Sequence, residues 1–159
     1  KEMGSTGTWL GRLKKLRPRA LLLPITSALG SLLASALVAI PLGVSLFAGL
    51  SIGAGFGWYS LSSVMLADMV GAQMGALAFL TNVLRELIAI ISIPILTRWG
   101  LGAAAITPGG ATTMDTTLAV VSRVSDEETT ILSFFHGLVL STMVPVLVAF
   151  FAKRIATGM

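Results

Sequence analysis

Three ionisable side chains stand inside otherwise uncharged, apolar sequence: Arg85 and Glu86 side by side, and Asp115 further along. A charge at the centre of a bilayer costs at least ~2.5 to 3.5 kcal/mol on insertion scales, so such groups turn to the protein interior and mark ion or substrate handling. Adjacent helical residues lie about 100° apart, so Arg85 and Glu86 are not placed to pair with each other. Asn82, at i−4 from Glu86 and i−3 from Arg85, extends a polar stripe that Ser92 can continue along the face turned to the bundle. Asp115 is set among the hydroxyls of Thr112, Thr113, Thr116 and Thr117. Structural readings stand beside these. Asp115 has the spacing of a capping-box residue to Thr112, Arg85 could be the structural counter-charge of an acid, and His136 reads as a hydrogen-bonded interior group before it reads as a relay.

Other chemistries find no residues. Cys is absent and His136 is the single histidine, which removes thiolate nucleophiles and multi-His metal sites; no metal or cofactor is expected. A membrane serine protease would want a Gly-x-Ser-x-Gly turn, but Gly43 and Ser45 are followed by Leu46 and Phe47, and Ser133 near His136 lacks such a turn. Asp115 follows Thr112, Thr113 and Met114, not the Gly-x-Gly of intramembrane aspartyl proteases. The crowded Gly49, Gly53, Gly55 and Gly57 follow no strand, so they are not a dinucleotide fingerprint. We expect no enzyme.

The elements that must position these residues are membrane helices. The chain has 159 residues, 55% hydrophobic and 11% charged, with a mean hydropathy of +0.91, against about 25% charged in an ordinary soluble domain. From Ala20 to Ala67 no residue is charged, a stretch about twice what one ~30 Å hydrocarbon core requires at 1.5 Å per residue. Pro41 and Gly43 divide it. The fold class is therefore all-α and polytopic, with about five spans near 20–40, 44–66, 75–97, 101–122 and 129–152. Arg98, Trp99 and Gly100 close the third, and Ser125 and Glu128, with Asp126 and Glu127 between them, open the fifth at capping-box spacing. Asp68 falls at an interface and reads as a cap.

Six of the eleven basic residues precede residue 20. With a hydrophobic span starting at once, residues 1–19 read as a basic cytoplasmic arm, not a nucleic-acid patch, and the positive-inside rule then puts residues 153–159 outside. Two spans are irregular. In the second, the glycines fit either close packing through a Gly53 to Gly57 small-xxx-small pair or a helix broken at membrane depth. In the fourth, Pro108, Gly109 and Gly110 predict an interruption, tolerated only where protein or water satisfies the freed backbone, after which a restarted helix can aim its N-terminal dipole at an anion.

Four segments, Gly55-Phe-Gly-Trp-Tyr-Ser-Leu-Ser-Ser63, Asn82-Val-Leu-Arg-Glu-Leu-Ile-Ala-Ile90, Gly109-Gly-Ala-Thr-Thr-Met-Asp-Thr-Thr-Leu118 and His136-Gly-Leu-Val-Leu-Ser141, resemble in order and spacing the LysO-type lysine exporter family. The resemblance runs from about Ala20 to Phe151 and implies a multi-pass protein of the cell or inner membrane that exports L-lysine and toxic lysine analogues. It implies a driving ion gradient, of protons or sodium, and essential intramembrane acids at Glu86 and Asp115. Family members have about eight helices and this chain resembles the C-terminal five. The resemblance leaves the preceding helices to the same polypeptide or to a separate subunit, with homo-oligomers a further partner class beside lipid.

The residues and the resemblance point to the same chemistry. Lysine has two ammonium groups and one carboxylate: Glu86 and Asp115 suit the former, and either the restart at 110–113 or Arg85 suits the latter. The expectation is a lysine/proton antiport with alternating access. A small-cation/proton antiporter and a non-transporting accessory subunit are the alternatives.

Overall fold

The computed structural model describes residues 22–157, so the basic arm lies outside the described residues. Within them every regular element is helical: α1 (Leu23–Ala39), α2 (Leu46–Gly53), α3 (Tyr59–Met69), α4 (Ala72–Arg98), a 3-10 segment (Gly102–Met114), α5 (Leu118–Val124) and α6 (Glu127–Ala156). By length and composition, α4 with 27 residues and α6 with 30 can each cross a membrane.

Local chemistry sets the ends. Pro24 sits in the first turn of α1, where a missing N–H costs nothing. The Ser45 hydroxyl accepts from Ala48 N at 3.2 Å to start α2. The α4 helix carries Arg98 in its last turn, takes Trp99 as cap, and is followed by Gly100 at φ +77°. The opening of α6 differs from the sequence expectation by one residue. Asp126, not Ser125, is the cap; its extended backbone aims the carboxylate so that it accepts from Thr129 N at 2.8 Å. Asp68 is exposed in the last turn of α3 and caps no helix among the described residues; the residue before α4 is Gly71.

Burial is arranged the opposite way to a soluble protein. Leu33, Leu37, Ile88, Ile91 and Val146 are each more than 60% exposed, while Ser51, Ser62, Asn82, Thr113, Thr117, Ser133 and His136 are buried. Polar groups inside and large apolar side chains outside is the pattern of a protein whose surroundings are lipid. Beneath that surface, Phe56, Leu66, Ala78, Ala111 and Leu140 pack in one apolar cluster and Ala89, Ile93, Ile106, Val121 and Leu132 in a second.

Glycines set the close approaches. A Cβ on Gly49 would lie 3.0 Å from Ser35 O of α1, and one on Gly75 would lie 2.8 Å from Ser63 O of α3. Gly137 of α6 lies against the Met114 amide and the Ala111 carbonyl, which brings α6 onto the end of the 3-10 segment.

Candidate functional site: two broken helices meet

Both irregular stretches break. Between α2 and α3 the backbone leaves helical geometry over 54–58, with Phe56 at φ +46° and Gly57 at φ +92°. Within the 3-10 segment Gly110 takes φ 60°, ψ −130°. The glycines divide: Gly49 and Gly53 pack against α1, whereas Gly57 turns the chain beyond the end of α2, so the expected Gly53 to Gly57 packing pair does not form.

The breaks lie against each other. Ala111 N donates to Phe56 O at 2.8 Å, so the carbonyl freed by one interruption is satisfied by the amide freed by the other. A Cβ on Gly57 would lie 3.4 Å from Gly109 O, and one on Gly110 would run into Phe56 O. At Gly110 only glycine lets the two backbones approach so closely, whereas at Gly57 it is the φ of +92° that favours glycine.

Three side chains clamp this crossing. Asn82, buried on α4, accepts from Gly57 N at 2.8 Å and donates to Ile52 O at 3.2 Å and Ala78 O at 3.0 Å, which joins the end of α2 to the far side of its break. Arg85 donates through Nε to Pro108 O at 3.2 Å and through Nη1 to Ser31 Oγ at 2.6 Å. Ser31 in turn donates to Gly53 O at 3.0 Å, so Arg85 is coupled to both breaks through neutral partners. No ion pair joins it to an acid among the described residues, and the counter-charge role is not what the structure builds. His136 supplies the third clamp. Thr113 Oγ1 donates to Gly110 O at 2.8 Å, so its oxygen accepts from His136 Nδ1 at 2.9 Å, and Nε2 accepts from Ser27 Oγ at 2.9 Å. In the neutral ring, that network places the proton on Nδ1.

The remaining expected residues divide. Glu86 is buried, 9% exposed, on the face of α4 that carries Asn82, and has no hydrogen bond or ion pair among the described residues. Ser92 is only half-buried, and Ile93 continues that buried face instead. Thr112 is buried and donates to Gly109 O at 2.9 Å, with Thr117 Oγ1 at 3.2 Å. Asp115 and Thr116 are exposed; Asp115 Oδ1 accepts from Thr116 N at 2.6 Å and closes no capping box with Thr112. The restarted α-helix expected directly after the break is also absent. A short 3-10 turn follows Gly110 and α5 begins only at Leu118, because Ala111 N is spent on Phe56 and the threonine hydroxyls hold the carbonyls behind them.

Ser27, Ser31 and Phe56 belong to the crossing although the sequence analysis gave none of them a role. The signal for the serines was present: Ser27, Ser31 and Ser35 recur every fourth residue on α1, a polar stripe in an apolar helix. Phe56 gave none, since its role is its left-handed backbone.

Comparison with known proteins places this arrangement. The chain is 36% identical over 137 residues to the Lysine exporter LysO of Escherichia coli, covering 86% of this chain and 46% of that protein. It is 32% identical over 138 residues to a protein of Haemophilus influenzae, covering 87% of this chain and 70% of the relative. The chain thus spans about half the length of the first of these relatives. No solved structure matches it. Because the Lysine exporter LysO profile matches residues 1–152, the chain belongs to that family.

Proposed function

We propose that this chain forms the five-span transporting portion of an inner-membrane exporter of L-lysine and lysine analogues, driven by exchange for protons with alternating access. The family match over residues 1–152 carries this reading. An enclosed carboxylate at Glu86 and a crossing of two interrupted helices support it. In this reading Glu86 and Asp115 receive the ammonium groups, Glu86 within the bundle and Asp115 at its exposed edge. A carboxylate that carries a proton no longer offers a negative charge to an ammonium group, so protonation and ammonium binding compete for the same oxygens. Exchange follows: lysine leaves when the proton arrives, and the next lysine displaces it from the other side. The breaks at Gly57 and Gly110 supply the flexible points around which the half-helices reorient. The N-terminal end of the chain is cytoplasmic and the C-terminal end external.

The test is lysine-dependent proton movement in proteoliposomes holding the intact protein. Glu86→Gln and Asp115→Asn should each abolish exchange while folded protein remains in the membrane. Full exchange in either variant would remove that acid from the mechanism, and sodium-dependent movement without lysine would replace the substrate.

A further inference from the structure

Arg85 is a cation with neutral partners. Of the five N–H groups of a guanidinium, one on Nε goes to Pro108 O and one on Nη1 to Ser31 Oγ, and no further hydrogen bond or ion pair holds it among the described residues. The other three donors remain. The side chain cannot swing away to use them elsewhere, because these two bonds fix the plane of the fork, and Nη2 lies 3.1 Å from where a Cβ on Gly110 would stand.

Two cavities meet at this group. One, about 280 Å³, is lined by Thr26, Ser27, Ser31, Thr107, Pro108 and Arg85. Its neighbour, an open groove of about 530 Å³, shares Ser31, Arg85 and Pro108 and is otherwise mainly apolar, with the exposed Ala34, Leu84 and Ile88. Small-ligand sites run from roughly 300 to 1,000 Å³. In the smaller cavity the hydroxyl protons are committed: Thr26 donates to Leu23 O, Ser31 to Gly53 O, Thr107 to Ala104 O, and Ser27 to His136. Pro108 has no N–H. The unspent donors among these side chains therefore belong to Arg85, and they suit an anion of planar, forked shape.

The rival donor, the backbone after the break, does not fit. Ala111 N is already bonded to Phe56 O, and the turn that follows is too short to present a helix terminus.

We propose that Arg85 binds the α-carboxylate of the exported amino acid, with the main-chain end of the substrate in the polar cavity and the aliphatic stem along the apolar one. This rests on the lysine-export reading and adds to it the group that tells an amino acid from a plain diamine. The same site explains why a guanidinium is retained in a transporter of cations: it repels the ammonium groups, and binding requires the carboxylate to offset that repulsion.

The experiment is counterflow of labelled lysine into proteoliposomes holding the intact protein, with lysine, lysinamide and cadaverine as competitors. Lysinamide exchanges the carboxylate for a neutral amide, and cadaverine lacks it. In the wild type both analogues should compete roughly a hundredfold or more weakly than lysine, since a site built around a polar group rejects ligands without it. Arg85→Gln should weaken lysine until lysine and lysinamide compete within a few-fold of each other, and Arg85→Lys should keep part of the preference. Wild-type protein that moves lysine but accepts lysinamide equally well overturns the carboxylate assignment and leaves lysine export standing, as does an Arg85→Gln protein with its preference intact. The wild-type series decides the matter even if the variant does not fold. Failure of the wild type to move any lysine removes the export reading, and this assignment with it.

Discussion

At the scale of single residues, the crossing is held by groups with no spare partners. Asn82 ties Gly57 N to Ile52 O from inside an apolar bundle. Asn82→Leu strands both groups, and an orphaned buried polar group costs about 1–3 kcal/mol. We expect a lowered thermal unfolding midpoint in detergent, with lysine exchange lost in parallel. His136→Phe should behave similarly, because Thr113 and Ser27 both lose a partner. Asp126 offers a contrast at the aqueous end of α6. Hydrogen bonds from the Thr129 side chain and then its amide hold the Asp126 carboxyl below its ordinary value of 3.8. The folded value lies under the unfolded one, so the cap's stabilisation is complete above pH 3.8 and is lost as the pH falls through the folded value. The midpoint difference between wild type and Asp126→Ala should therefore be constant from about pH 5 to 7 and shrink in stronger acid. A difference that grows on acidification would contradict the cap.

At the scale of elements, the glycines separate into those that turn the chain and those that let helices touch. Gly57→Ala forces an L-residue to φ +92°, a strain of about 1–3 kcal/mol. Gly137→Ala sets a methyl group against the Met114 amide and should cost a similar amount through overpacking. The two are distinguishable by transport. Gly57→Ala acts on a break and should reduce exchange even where folded protein is recovered, whereas Gly137→Ala should lower exchange only in proportion to the folded protein lost. Equal losses per folded molecule in the two would show that glycine matters here only as a small residue.

At the scale of the whole molecule, an apolar exterior over a polar crossing is what a lipid-embedded bundle requires, and the absence of Cys makes its orientation easy to read. In the proposed five-span arrangement, Trp99, 73% exposed at the end of α4, and Ser125, before α6, bracket the stretch expected to form the fourth crossing. With the N-terminal end cytoplasmic, an impermeant thiol reagent added to whole cells should label Trp99→Cys and leave Ser125→Cys unlabelled until the membrane is opened. The reverse pattern would invert the topology.

The helical, membrane-embedded character was legible in the chain itself, because it depends on composition and on the period of the apolar residues. The interruption at Gly110 was legible too, since proline and two glycines disfavour a helix whatever packs around them. The α4 face carrying Asn82 and Glu86 followed from 3.6-residue periodicity. What no local pattern contains is which freed backbone group meets which. That Phe56 O takes Ala111 N, that Arg85 turns to Pro108 and Ser31 and away from an acid, and that Asp115 faces outward while Glu86 is enclosed were decided by the packing of helices far apart in the chain. Hydrogen-bond partners across a bundle depend on distance in space, and sequence spacing constrains that distance only within one helix.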